Sequence, residues 1–189
     1  MPFRGPDLQN GNISIVTKLG SVRAISQSSK IETRGSHMNE DFKTISEKMP
    51  DLLEKLLACS PHSSAGKMPS DIPLRGVYLF SKADRYYYVG RTNRLKARFR
   101  EHLNGRNNDA PFAFKIARHA TGHLKAKGGK RRAELENDPT FRIAFAQAKD
   151  DLRQMEWRWV QVDDPNTQCL LEIYAAIALK AEFNDFENH

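Results

Sequence analysis

The chain has 189 residues, of which 39% are hydrophobic and 28% are charged, and its formal net charge at pH 7 is +7. This length suits one globular domain with an extension, and the composition is too polar for a membrane protein. The longest nearly apolar stretch, Cys169 to Leu179, contains Glu172 and is too short for a membrane span, so we expect a soluble, cytoplasmic protein. Cys59 and Cys169 belong to no CxxC or Cys/His cluster, which argues against a disulfide framework or a zinc module.

The positive charge is concentrated in the middle of the chain. Residues 75–132 contain 16 Lys and Arg against 3 Asp and Glu, whereas residues 1–74 carry a net +1 and residues 133–189 a net −7. A solvated surface usually mixes both signs, so a field this one-sided indicates a polyanionic partner. Nucleic acid is the favoured partner, and acidic protein surfaces or anionic lipid are the alternatives.

The first 73 residues divide into a tail and a helical extension. Residues 1–38 have no helical period and are predicted to be a tail, in which the run 35–38 (Gly-Ser-His-Met) has the form of a scar left by a removed expression tag. Apolar residues between Asn39 and Ala58 recur at spacings of three and four, which predicts an amphipathic helix or helix pair, interrupted or restarted at Pro50. The Ser- and Pro-rich residues 59–72 are predicted to be a linker.

Residues 74–189 are predicted to form the main domain. Two runs of β-branched and aromatic residues, 76–80 and 86–90, indicate a hairpin, and Asn93 can cap the helix that follows it. Further helices are predicted over 113–120, from Asp138-Pro139 to 152 and from Asp164-Pro165 to about 181, with a basic loop at 125–132 and a strand around 155–159. This order predicts an α/β domain in which helices flank a small three-stranded antiparallel sheet.

Two tripeptides and four later residues resemble the GIY-YIG nuclease superfamily. Gly76-Val77-Tyr78 and Tyr88-Val89-Gly90 are similar to the paired signature of that family, with valine in place of both isoleucines. The residues that follow at similar spacing are Arg98, His102, Glu172 and Asn184. The resemblance covers roughly residues 74–186 and implies the GIY-YIG fold.

The residues themselves are compatible with a shared site. Alternate residues of a strand share a face, so Tyr78 and Tyr88 can point to the same side of the sheet. Arg98 and His102 are neighbours on one helix at i and i+4, and Glu172 lies in an apolar helix where its carboxylate needs a cation. Each residue also has a purely structural interpretation: Tyr78 and Tyr88 as sheet aromatics, Arg98 as the partner of Glu101 or Glu172, His102 as a packed or capping residue, and Asn184 as a turn residue.

The resemblance implies a DNA endonuclease that hydrolyses phosphodiester bonds. It implies that Glu172 holds one divalent ion, Mg²⁺ or Mn²⁺, that Arg98 clamps the scissile phosphate, and that Tyr78 takes or relays the proton of the attacking water. Because a free phenol is a poor base at neutral pH, Tyr78 needs nearby positive charge, from Arg98, Arg91, His102 or the metal ion. The candidate catalytic residues are Tyr78, Tyr88, Arg98, His102, Glu172 and Asn184. The candidate nucleic-acid-binding residues are Arg91, Arg94, Lys125, Lys127, Lys130, Arg131 and Arg132.

Several functions fit these residues. The preferred prediction is a restriction-like or standalone nuclease. The alternatives are a structure-specific repair or recombination nuclease, and a DNA-binding module that has the same fold but does not cut. Cutting both strands would require a homodimer or two successive nicks.

Overall fold

The computed structural model describes residues 39–124 and 129–186. The predictions for the tail, for Lys125 and for Lys127 therefore fall outside the described residues. In chain order the elements are α1 (Glu40–Ser46), α2 (Met49–Ala58), β1 (His62–Ser63), β2 (Gly76–Lys82), β3 (Arg85–Thr92), α3 (Leu95–Asn104), α4 (Pro111–Ala120), α5 (Arg132–Glu136), α6 (Pro139–Arg153), β4 (Glu156–Gln161) and α7 (Pro165–Ala178). No helix within these two ranges is long and apolar enough to cross a membrane.

The strands form one antiparallel sheet in the order β1-β4-β2-β3. The predicted hairpin and the later strand are present as β2, β3 and β4, which confirms an antiparallel sheet flanked by helices. The sheet has four strands rather than three because β1, where His62 pairs with Trp157, lies in the segment expected to be a linker. Two residues are too few to show a strand period in the sequence.

Side-chain alternation along β2 separates two cores, one on each face of the sheet. Tyr78 and Phe80 lie in the first core, which also contains Phe99 of α3, Phe112 of α4 and Trp157 of β4. The second core lies on the opposite face and contains residues from β2, β3, α2 and α7, namely Val77, Leu79, Val89, Leu56 and Leu171. This is the two-sided pattern that the period of a strand predicts.

The helix boundaries agree with the sequence signals at some ends and not at others. Asp138 and Asp164 cap α6 and α7 through their side chains, as the two Asp-Pro pairs predict. The prediction that Asn93 caps α3 is wrong: the N-cap is Arg94, and Oδ1 of Asn93 accepts instead from Gln168 at 3.3 Å. Pro50 lies in the first turn of α2, where its missing N–H costs nothing.

Candidate active site

Tyr78 lies at the centre of the candidate site. Its phenol is buried, and its oxygen is 2.8 Å from Nε2 of His102 on α3. Gly90 is the cross-strand partner of Tyr78, and a Cβ added at Gly90 would lie 2.5 Å from Cζ of the Tyr78 ring. Position 90 therefore requires glycine, because the Tyr78 ring occupies the space that a side chain there would need.

His102 is fully buried against the aromatic side chains of the first core. Burial, with a smaller contribution from Arg98, lowers the pKa of His102 from 6.5 to about 3. The imidazole is therefore neutral near pH 7 and supplies no positive charge to Tyr78, contrary to one of the alternatives left open by the sequence. Its Nδ1 is buried and has no hydrogen-bond partner in the described part of the chain.

Both phenols hold their protons in the free protein. Burial raises the pKa of Tyr78 well above 10, and the adjacent Tyr88 adds to this effect while Arg98 opposes it. Burial also raises the pKa of Tyr88, with a further contribution from Glu172. The two rings are 6.3 Å apart between centroids, and Tyr88 stacks on Phe112 at 4.6 Å. Tyr78 and Tyr88 therefore share one face of the sheet, as strand alternation predicts.

Arg98 is held at the edge of this cluster by two acceptors. Its Nη1 donates to Oε2 of Glu101 at 3.3 Å and to the backbone oxygen of Asp109 at 3.2 Å. Glu101 also accepts from Arg94 at 2.6 Å. The sequence suggested Glu101 as a partner of Arg98, but it carried no signal for Asp109, because a backbone carbonyl has no residue signature.

Glu172 on α7 is paired with a cation, but the cation is Arg91 of β3 rather than Arg98. Nε of Arg91 is 2.9 Å from Oε2 of Glu172, whose side chain is 25% exposed. Burial raises the pKa of Glu172, and Arg91 opposes this shift. The structure thus leaves the carboxylate within electrostatic reach of both phenols and of Arg98.

The donor set at Glu172 fits a magnesium ion. Within residues 39–124 and 129–186, no group of three or more His, Cys, Asp or Glu side chains could hold a metal. Mg²⁺ commonly binds through one or two carboxylates, with water and substrate phosphate completing the shell. Oε2 of Glu172 is bonded to Arg91, whereas Oε1 accepts no hydrogen bond from the described residues.

Asn184 binds the backbone of β3, and both hydrogen bonds of its side chain go to Val89 rather than to a phenol. Its Oδ1 accepts from the Val89 amide at 2.7 Å, and its Nδ2 donates to the Val89 carbonyl at 2.8 Å. The backbone amides of Glu182 and Phe183 donate to Tyr86 and Tyr87 of the same strand. Asn184 therefore fixes the C-terminal segment beside the strand that carries Tyr88, which makes it a positioning residue.

The candidate DNA-binding residues are largely engaged within the protein. Lys130 is 2.6 Å from Asp138, and Arg131 is 3.2 Å from Glu134. Arg132 does not belong to an open loop: it begins α5, an element that the sequence analysis did not predict, and it lies over the Phe114 ring. Arg91 and Arg94 are bound to Glu172 and Glu101, as described above.

Comparison with known protein families matches residues 75–169 to the GIY-YIG catalytic domain. Comparison with curated proteins and with solved structures gave no match. The matched segment contains both tripeptides, Arg98 and His102, while Glu172 and Asn184 follow it. Since the match covers half of the chain and coincides with the sheet and the helix that build the Tyr78 cluster, the protein belongs to the GIY-YIG nuclease superfamily.

Proposed function

We propose that this protein is a divalent-metal-dependent DNA endonuclease of the restriction-like or standalone kind. The observation that carries the proposal is the hydrogen bond between the Tyr78 phenol and the neutral His102, with Arg98 beside it. This cluster combines a proton path and a phosphate-binding cation in one place. Membership of the nuclease superfamily supports phosphodiester hydrolysis in general, and DNA as the substrate.

The proton path starts at the attacking water. Because the phenol of Tyr78 remains protonated, it cannot act as a preformed base. In the tautomer of neutral His102 that carries its proton on Nδ1, the phenol can pass its proton to Nε2 while it accepts one from the water. The water oxygen then bonds to phosphorus while the bond between phosphorus and the 3′ oxygen breaks. His102 holds the transferred proton as an imidazolium, and the departing 3′ oxygen takes a proton from solvent. The negative charge of the bound phosphate favours that cation, which opposes the effect of burial on the His102 pKa.

Arg98 and Glu172 act on the phosphate from the rim of the cluster. Arg98 is half-buried and can present its remaining donors to the non-bridging oxygens. Glu172 would hold Mg²⁺ or Mn²⁺, which when bound neutralises charge on the phosphate and on the leaving 3′ oxygen. With Glu172 on the metal ion, Arg91 would be free to contact the DNA. Tyr88, fixed by Phe112, orients the water or the phosphate.

A plasmid assay with one matched pair of variants tests this function. Glu172→Gln is nearly isosteric and removes the charge, so we expect it to retain DNA binding and to abolish cleavage of supercoiled plasmid with Mg²⁺. Glu182→Gln is the control, since Glu182 also pairs with an arginine, Arg85, at 2.6 Å but, unlike Glu172, does not contribute to the pKa shifts of Tyr78 and Tyr88. Cleavage by Glu172→Gln at the wild-type rate would remove Glu172 from the site.

One observation favours the second candidate, a DNA-binding module that does not cut. The Arg91–Glu172 ion pair engages Oε2 and partly neutralises the carboxylate that a metal ion needs. In that case wild-type protein would bind duplex DNA but leave plasmid intact with both Mg²⁺ and Mn²⁺. If cleavage does occur, comparing the cleavage of linear duplex with that of branched DNA distinguishes a restriction-like enzyme from a structure-specific one. In the plasmid assay, linear product that forms without a nicked intermediate favours a homodimer.

A further inference from the structure

Two arginines lie against one aromatic ring on the α4 side of the molecule. Cζ of Arg132 is 3.9 Å from the centroid of Phe114, and Cζ of Arg118 is 5.6 Å from the same centroid. Burial lowers the pKa of Arg132, and the charge of Arg118 lowers it further. Two like charges that a fold brings together are stabilised by an anion that contacts both.

The protein supplies no such anion in its described part. Within residues 39–124 and 129–186, neither arginine forms an ion pair with a carboxylate. Glu136 is near enough to raise the pKa of Arg132 but is not bonded to it. Each guanidinium donates to one backbone carbonyl, Arg118 to Lys130 at 2.8 Å and Arg132 to Asn107. Nε of Arg118 is buried without a partner in the described residues, so the donors that remain for an external anion are the other Nη of Arg118 and the remaining N–H groups of Arg132.

We propose that Arg118 and Arg132 form a second phosphate-binding site, which holds a DNA backbone phosphate away from the bond that is cut. This inference rests on the DNA-cleaving function proposed above and adds where the uncut part of the duplex binds. Guanidinium groups match the geometry of phosphate oxygens, so two of them can share one phosphate. The pair also lies within residues 75–132, the segment that carries the excess of positive charge.

A short loop connects this arginine pair to the catalytic arginine. Arg132 donates to the carbonyl of Asn107, and Arg98 donates to the carbonyl of Asp109 at 3.2 Å. Two residues of extended chain span at most about 7 Å. One DNA strand rises about 3.4 Å per nucleotide, so phosphates a few nucleotides apart on one duplex can reach both arginines.

Fluorescence anisotropy can measure the binding of a short duplex at a series of salt concentrations. With EDTA present to remove divalent ions, this measurement tests the site without cleavage. We expect Arg118→Gln and Arg132→Gln each to raise Kd about tenfold. Each should also reduce the slope of log affinity against log salt by about 0.9, the value for one phosphate contact. Because both arginines share that phosphate, the double variant should lose no more slope than either single variant.

Arg85→Gln is the matched control, because it removes the same charge at a position outside the candidate DNA-binding residues. Arg85 is 69% exposed and paired with Glu182 at 2.6 Å, so its loss should change Kd far less. The inference is overturned if Arg118→Gln and Arg132→Gln behave like Arg85→Gln, or if their slope losses add. Should Arg132→Gln unfold by circular dichroism, Arg118→Gln against Arg85→Gln decides the question alone.

Failure of this site and failure of the proposed function give different results. If wild-type protein binds duplex DNA but does not cut plasmid with Mg²⁺, the endonuclease proposal fails while the binding data still test Arg118 and Arg132. If wild-type protein cuts plasmid and the arginine variants bind normally, only the second phosphate site is rejected.

Discussion

At the scale of single residues, the site depends on one hydrogen bond between two buried groups. The Tyr78 phenol and the His102 imidazole are 24 positions apart in sequence and meet because α3 crosses the face of β2. The sequence predicted that both residues belong to the site but not that they touch each other, since no local pattern specifies how a helix packs on a strand. The same applies to Glu172: its need for a cation was predictable, but the choice of Arg91 over Arg98 was not.

Replacing Tyr78 with phenylalanine tests the proton path. The variant removes the only atom of the ring that can pass a proton, so we expect the single-turnover cleavage rate to fall about 10²-fold or more. Stability should fall by about 1–3 kcal/mol, because Nε2 of His102 loses its partner. Tyr87→Phe, which removes a phenol from the neighbouring residue of the same hairpin, should leave the rate unchanged. A small effect of Tyr78→Phe on the rate would assign Tyr78 to the scaffold.

The buried imidazole makes stability depend on pH. His102 has a pKa of about 3 when folded and 6.5 when unfolded, so only the unfolded chain binds a proton between these values. Stability is therefore lost as the pH falls from about 6.5 towards 3, at up to about 1.4 kcal/mol per pH unit from this residue. His102→Gln should lack this contribution in urea unfolding series between about pH 7 and 4.5.

Other groups also titrate in that range, so the comparison must be between proteins. The free energy of unfolding of wild type minus that of His102→Gln should decrease as the pH is lowered. His119→Gln, the same replacement at an exposed position, is the control for the substitution itself. If the unfolding free energies of wild type and His102→Gln changed equally with pH, His102 would take up its proton in the native state as readily as in the unfolded chain.

At the scale of elements, the sequence predicted those with strong local signals. The tyrosine-rich hairpin and the Asp-Pro helix starts were recognisable because each is encoded by adjacent residues. β1 and α5 were missed because each is stabilised by tertiary contacts: His62 pairs with β4, and Leu135 of α5 is buried in the first core. Five residues of helix carry too little periodicity to be read from sequence.

The C-terminal segment has no regular structure and is held against β3 by the backbone amides of Glu182 and Phe183 and by the side chain of Asn184. Asn184→Ala removes both hydrogen bonds to Val89, so we expect a loss of about 1–3 kcal/mol in unfolding free energy. Cleavage should fall as well, because Tyr88 precedes Val89 on the strand, and the loss should appear in kcat rather than in DNA affinity. Asn166→Ala, at an exposed position of α7, is the control. Unchanged stability would mean that the segment is held by other contacts.

At the scale of the whole molecule, the sheet separates the Tyr78 cluster from the second core, while Glu172 belongs to α7, which packs against that core. Leu56 of α2 is fully buried on the face opposite Tyr78. Leu56→Ala should therefore cost about 2–5 kcal/mol of stability while leaving the cleavage rate unchanged below the melting temperature. Glu54→Ala, on the exposed side of the same helix, controls for helix propensity. A large rate loss in folded Leu56→Ala would show that the two faces are coupled.

The pairing of the C-terminal segment with β3 also bears on how copies of the chain behave towards one another. A sheet whose outermost strand has free amide and carbonyl groups is a template for the strands of other molecules. In the described residues, one margin of this sheet is the two-residue β1, and the other is β3, capped by Glu182, Phe183 and Asn184. The residues that hold the segment in place therefore also protect the protein against aggregation through edge-to-edge pairing of strands. A chain ending before Glu182 would lose that protection and, with it, the contacts that position the strand carrying Tyr88.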